Sequence, residues 1–247
     1  MSLINGATAR GEMMEFDQYL ASFGEVETTP LTKFQQIVGK RLTQSWTGVP
    51  HVTHNDSADV TALDAYRTTM AAKVSPLLFL VKAVAGALRA FPTFNASLSP
   101  DGKTLVLKHY FHVGIAVDGP LGLLVPVLRD VDRKNLATLA AELADFTATA
   151  RDKGLPMDVM SGGCITISSL GGIGGTSFTP IINQPEVAIL GVTPMRTVAA
   201  WDGMSFVPRR EMTLSLSYDH RVINGADAAR FLRHIDAALQ DPAGLAG

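Results

Sequence analysis

The sequence predicts an α/β chain, more closely an α+β sandwich in which a mixed β-sheet packs against helices. Three observations lead there. Apolar runs of helical and strand period alternate along the chain. The alternation is not a clean βαβ repeat, because several strand-like runs stand together before the next long helix, which disfavours a dinucleotide-binding sheet. The chain has 247 residues, 47% of them hydrophobic, enough to bury the core of one large domain.

Taken in order, Met1 to Phe23 reads as a linker or N-terminal arm, and the folded domain runs from residue 24 to residue 247. Leu31 to Trp46 has helical spacing, with Phe34, Ile37, Val38 and Leu42 on one side. His51 to Val60 looks extended, and Thr61 with Asp64 resembles a capping box that opens a short helix. Pro76 to Phe91 reads as a buried helix, and Asn95 beyond it as a turn residue or a substrate contact. Strand-like runs follow at Leu105 to Lys108, His112 to Val117 and Gly122 to Val127, then a long amphipathic helix from Asn135 to Asp152 that stops at Gly154. Further strands are expected at Cys164 to Ser169, Val187 to Val192 and Met212 to Tyr218, and a last helix from Ala226 to Gln240.

Composition excludes several function classes. The longest apolar stretch is interrupted by Lys82 and Arg89, so no segment approaches the roughly 20 apolar residues of a membrane-spanning helix. Against 23 acidic residues stand 21 basic ones, without a basic run, and nucleic-acid binding is not expected. Cys164 is the sole cysteine, which rules out a disulfide framework and suggests a reducing compartment. His51 and His54, and likewise His109 and His112, are three apart on extended segments and point to opposite faces. No metal site is expected.

Two segments carry chemistry. In Ser215-Leu216-Ser217-Tyr218-Asp219-His220-Arg221-Val222-Ile223-Asn224-Gly225-Ala226 an alternating strand ends on a histidine, and Asn224 can cap the helix that follows. An imidazole there is held by rigid elements, and histidine, with an ordinary pKa of about 6.5, is the residue type suited to a general base. Asp219 is a structural residue on this reading, because adjacent strand residues point apart. In Cys164-Ile165-Thr166-Ile167-Ser168-Ser169-Leu170-Gly171-Gly172-Ile173-Gly174-Gly175-Thr176 a strand delivers hydroxyls into a glycine-rich loop. That loop lacks the lysine of a phosphate loop, and the dinucleotide fingerprint fails at Ser177. A tight turn and a ligand-approaching loop both remain open.

Together these segments resemble the catalytic core of the dihydrolipoamide acyltransferases of 2-oxo acid dehydrogenase complexes, a family related to chloramphenicol acetyltransferase. The similarity extends through Asn183-Gln184-Pro185-Glu186-Val187-Ala188-Ile189-Leu190-Gly191, Val49-Pro50-His51-Val52-Thr53-His54 and Gly122-Leu123-Leu124-Val125-Pro126-Val127, and covers Phe23 to the end. Within the family it is most similar to the branch that serves pyruvate dehydrogenase.

The resemblance implies transfer of an acyl group, acetyl in that branch, from a dihydrolipoyl group to coenzyme A. His220 is the implied base and Ser168 the implied donor to the developing oxyanion. Ser168, Ser169, Gly171 and Gly172 are the implied contacts to coenzyme A. Asn224 stands where many members carry aspartate, so a hydrogen bond, with Arg41 as candidate partner, can survive there while an ion pair cannot. The implied partners are a lipoyl group on a separate domain and the other subunits of the complex. A homotrimer is implied, with His220 and Ser168 of one site on neighbouring chains, and a cubic 24-subunit core beyond it. The implied location is the bacterial cytoplasm or the mitochondrial matrix. A catalytically silent core protein and a free-standing small-molecule acetyltransferase are the alternatives.

Overall fold

The computed structural model describes residues 15–119, 122–152 and 154–246. Residues 1–14 of the expected linker lie outside that description. After them a short helix, α1 (Phe16–Ala21), has no buried residue. Helix α2 (Lys33–Gly48) opens on a true capping box: Thr32 Oγ1 accepts from Gln35 N at 3.2 Å, and Gln35 Oε1 accepts from Thr32 N at 2.9 Å. Its apolar side leaves Ile37, Leu42 and Trp46 exposed on the single chain.

Strand β1 (His51–Asp59) leads into helix α3 (Thr61–Thr69), where the expected capping box does not form. Thr61 Oγ1 instead accepts from Arg210 N, and the Asp64 carboxylate accepts from Arg210 Nε at 3.1 Å and Arg67 Nη1 at 3.2 Å. A distant guanidinium outcompetes the local backbone amide, as charge-assisted bonds do. Ser75 caps helix α4 (Pro76–Ala90), Pro76 stands where an N–H would be unpartnered anyway, and nine of its residues are buried.

A 3-10 turn (Pro92–Phe94) leads to strands β2 (Ala96–Leu98), β3 (Leu105–Leu107) and β4 (Val113–Gly119). The run expected from Gly122 to Val127 is two strands, β5 (Gly122–Leu124) and β6 (Val127–Leu128), divided at Pro126, which has no N–H for the ladder. Helix α5 (Leu136–Asp152) is capped by Asn135, whose Oδ1 accepts from Thr138 N at 2.9 Å. Strands β7 (Ile165–Ser169), β8 (Ala188–Val192), β9 (Arg196–Trp201) and β10 (Phe206–Asp219) follow, then helices α6 (Gly225–Leu239) and α7 (Pro242–Ala246). Strands β2 and β9 and the first half of β10 were not anticipated.

The main sheet runs β1-β10-β8-β7-β4-β5, with β6 on β4 and β9 on β10, while β2 and β3 form a separate pair. Strand β7 is parallel to β4 and β8, and the remaining pairings are antiparallel, so the sheet is mixed as expected. Alternation gives it two unlike faces. Ile165 and Ile167, Val113 and Ile115, Leu190 and Val192, and Leu214 and Leu216 join the buried faces of α4, α5 and α6 in one core. Thr166 and Ser168, with Gly114, Gly191, Ser215 and Ser217 beside them in register, form the other face. Phe178 and α2 cover part of it: Ser45 Oγ donates to Ile182 O at 2.6 Å, and Val49, Ile182 and Ile189 make a small second core.

Space on this second face is tight. A Cβ on Gly114 would lie 2.9 Å from both Thr166 Oγ1 and Val125 Cγ1. Gly114→Ala is expected to destabilise the fold by about 1–3 kcal/mol, read as a fall in urea midpoint at unchanged slope; an unchanged midpoint contradicts the packing.

Candidate active site

His220 is the first residue beyond β10, on a turn whose backbone is tied down at several points. Asp219 N donates to Val187 O at 2.9 Å, Asp219 O accepts from Val222 N and Ile223 N at 3.0 Å each, and His220 N donates to Pro50 O at 3.1 Å. The imidazole is exposed, 5.9 Å from the Tyr218 ring, with no hydrogen-bond partner among the described residues. Asn224 caps α6: its Oδ1 accepts from Asp227 N at 2.9 Å, and its Nδ2 donates to Asp227 Oδ2 at 2.6 Å. The amide is therefore occupied by its own helix, and among the described residues no bond joins it to Arg41.

Ser168 is half-buried near the end of β7, and its hydroxyl also has no partner among the described residues. Ser169 Oγ accepts from Gly171 N at 3.2 Å and shapes the turn into the glycine-rich loop. Gly171 and Gly172 are exposed on that loop, and Gly174 (φ +150°) and Gly175 (φ +94°) adopt backbone that side chains disfavour. Both groups able to meet a reacting molecule, the His220 imidazole and the Ser168 hydroxyl, are thus free.

They are not together on one chain. Ser168 is level with Gly191 of β8, and Gly191 with Ser215 of β10. His220 lies five residues past Ser215 and two strands away from Ser168. At about 3.3 Å per residue and about 4.8 Å per strand, the two are roughly 19 Å apart, beyond any direct cooperation.

A buried polar cluster lies on the same face as Ser168, one pleat back along β7. Thr166 Oγ1 donates to Glu186 Oε1 at 2.9 Å, and Asn183 Nδ2 reaches the same oxygen at 3.4 Å. Glu186 Oε2 is buried without a partner among the described residues. Burial pushes this carboxyl up to about 7, against the Thr166 bond and the positive charge of Lys108. Burial also lowers the Lys108 ammonium, which donates to Gly163 O at 3.3 Å, and raises the Cys164 thiol. Glu186 was visible in the sequence only as part of a resemblance motif, and its environment carries no local signal.

The remaining candidates are structural. His51 spans a turn, Nδ1 against Val49 O at 2.9 Å and Nε2 accepting from Ile182 N at 3.1 Å. Asn95 is buried, donating to Lys108 O and Tyr110 O. Cys164 is a buried thiol against Tyr110 O. Among the described residues no three His, Cys, Asp or Glu side chains cluster as metal ligands, and no helix is long and apolar enough to cross a membrane.

Comparison with known proteins places the chain in a family. The chain is 53% identical over 228 residues to the dihydrolipoyllysine-residue acetyltransferase component of the Pseudomonas aeruginosa pyruvate dehydrogenase complex, covering 90% of this chain and 42% of that one. It thus spans under half the length of that relative. One solved structure, a crystallographic and enzymatic study of a serine, a histidine and an asparagine in the catalytic mechanism of Azotobacter vinelandii dihydrolipoamide acetyltransferase, superposes with a TM-score of 0.88 at 50% identity, covering 92% of this chain and 96% of that one. The cubic core of the pyruvate dehydrogenase multienzyme complex does so with the same TM-score at 51% identity, with the same coverage. Chloramphenicol acetyltransferase shares the fold alone, with a TM-score of 0.57 at 15% identity over 86% of this chain and 100% of that one. Residues 23–246 match the family model of the 2-oxoacid dehydrogenases acyltransferase (catalytic domain), and the chain belongs to that family.

Proposed function

We propose that residues 24–247 form an acyltransferase core that moves an acyl group, acetyl by its relatives, between a dihydrolipoyl thiol and coenzyme A. The observation that carries this reading is the triad spacing. In the Azotobacter vinelandii relative the studied serine stands 52 residues before the histidine and the asparagine 4 after it, and Ser168, His220 and Asn224 repeat both intervals. Asn224 then belongs to this branch and argues for activity rather than for a silent core.

His220 takes the proton from the coenzyme A thiol, which is mostly protonated at neutral pH, and so frees a thiolate for attack on the acyl-dihydrolipoyl thioester. As the carbonyl carbon gains the new C–S bond, its oxygen becomes an oxyanion, and the Ser168 hydroxyl donates to it. Collapse breaks the original C–S bond, and the departing dihydrolipoyl sulfur takes the proton back from His220. Asn224 anchors the helix behind the turn, while Ser169, Gly171 and Gly172 offer small side chains and backbone beside the reacting thioester.

The roughly 19 Å between His220 and Ser168 requires two copies of the chain for each site. A trimer with three equivalent sites satisfies this, and the exposed Ile37, Leu42 and Trp46 of α2 supply apolar surface for it. A cubic 24-subunit core, a lipoyl domain as acyl donor and the other subunits of such a complex are the partners on this reading, in the bacterial cytoplasm or the mitochondrial matrix.

The test is steady-state acetyl transfer from acetyl-CoA to free dihydrolipoamide. Wild type is expected to turn over, and Ser168→Ala to lose about 10²–10³ in kcat, the usual cost of one oxyanion donor. No transfer by a folded, assembled wild type overturns the reading. Full activity in Ser168→Ala removes the serine from it.

A further inference from the structure

The two residues flanking His220 are tied to each other rather than to the imidazole. Asp219 is buried, and its carboxylate collects four hydrogen bonds from Arg221: Oδ1 accepts from the backbone N and from Nε at 3.0 Å each, and Oδ2 accepts from Nη2 at 2.7 Å and Nε at 3.2 Å. Its backbone C=O accepts from Val222 N and Ile223 N in the same turn, and its N–H donates to Val187 O, so every polar atom of Asp219 is used. The Asp219 bonds hold the Arg221 guanidinium firmly in its charged form. A bidentate guanidinium–carboxylate pair fixes geometry in a plane, which a lone contact does not. Here it closes a loop around the one residue between, whose ring has no other tether among the described residues.

We infer that the Asp219–Arg221 pair is a clamp that aims the His220 imidazole across the subunit boundary toward Ser168 of the neighbouring chain. This deepens the proposed function and rests on its assignment of His220. Neither residue touches substrate on this account; both are positioning residues that act through the turn. A base that must reach a thiol held largely by another chain cannot be oriented by that chain before the site is complete. Its own turn therefore has to set the direction, and displacement of a reacting group by about 1 Å can cost on the order of 10²-fold in rate.

Two variants of the assembled protein test the clamp. Arg221→Lys keeps the charge and loses the two-pronged grip, and its side chain is 43% exposed, so folding is little affected. Asp219→Asn keeps an acceptor for the Arg221 amide and loses the ion pair. Both are expected to lower kcat by about tenfold or more with KM for acetyl-CoA and dihydrolipoamide unchanged, and with the unfolding midpoint of Arg221→Lys at the wild-type value. Crystal structures of the variants should show residues 219–224 displaced and the rest of the sheet superposable.

Either variant, folded, with kcat within twofold of wild type overturns the clamp, and so does a loss of kcat that tracks the folded fraction across temperature. Should wild type transfer no acetyl, the role of His220 falls by itself; the clamp is then judged on the crystal structure of Arg221→Lys alone, where an unmoved turn rejects it.

Discussion

Trimers of His220→Ala chains and trimers of Ser168→Ala chains are each expected to be nearly inactive, and mixed trimers of the two to recover activity. On the proposed mechanism His220→Ala removes the group that accepts the thiol proton, a loss of about 10²–10⁴-fold in kcat. On the same mechanism Ser168→Ala removes the donor to the oxyanion. Because the sheet register sets these groups roughly 19 Å apart on one chain, a site drawing histidine from one copy and serine from the next is intact whenever an S168A chain supplies the histidine and an H220A chain the serine. Random mixing in equal amounts makes that true of about a quarter of sites, since the head-to-tail contact in a ring has a fixed direction. Recovered activity near a quarter of wild type therefore measures the architecture of the site, which neither single variant can do. Mixed assemblies, shown by mass to contain both chains, that stay as inactive as their parents place both residues in one chain's site and contradict the register argument.

The sequence made some of this legible and hid the rest for identifiable reasons. Helix α4 was clear because its cap, its first-turn proline and its apolar run are all local. Strands β7 and β8 and the inner half of β10 were clear because they are central and continuously or alternately apolar. Strand β9 and the outer half of β10 were not, since that hairpin projects beyond the sheet with Trp201 and Phe206 exposed and Arg196, Arg209 and Pro208 among them, so neither face carries a pattern. The false capping box at Thr61 and Asp64 failed through Arg210, 146 residues from Asp64. His220 and Ser168 stood out by motif, yet their separation depends on β10 and β8 lying between other strands, and strand order has no local signature. The burial of Glu186 and of Asp219 under its bonds to Arg221 had no local signal either. A polar side chain at a strand end looks solvated until the fold buries it.

Glu186 has the largest expected effect on stability, and its sign follows from its surroundings. Unfolded, the carboxyl titrates near the ordinary glutamate value of about 4.3; folded, burial holds it up to about 7. Between those values the unfolded chain has released a proton that the folded chain keeps, so fewer protons are bound in the unfolded state and stability falls as pH rises. The decline begins near the unfolded value and is complete once pH has passed about 7. Over that window it amounts to about 4 kcal/mol, at 1.36 kcal/mol for each pH unit between the two values. The other ionisable groups facing the carboxyl are Lys108 and Cys164, and the Lys108 charge moderates the cost without removing it. Glu186→Gln keeps an acceptor for Thr166 Oγ1 and cannot ionise. Its unfolding midpoint should lie at or slightly below that of wild type at pH 5 and above it at pH 8, the two curves crossing between. Parallel midpoint curves from pH 5 to 8 would show that Glu186 is ionised in the fold at no cost, and would remove the buried acid from this face of the sheet. Lys108→Met sharpens the test, because loss of the ammonium should push the folded carboxyl higher and carry the wild-type decline to higher pH, an effect absent when Glu186 is Gln.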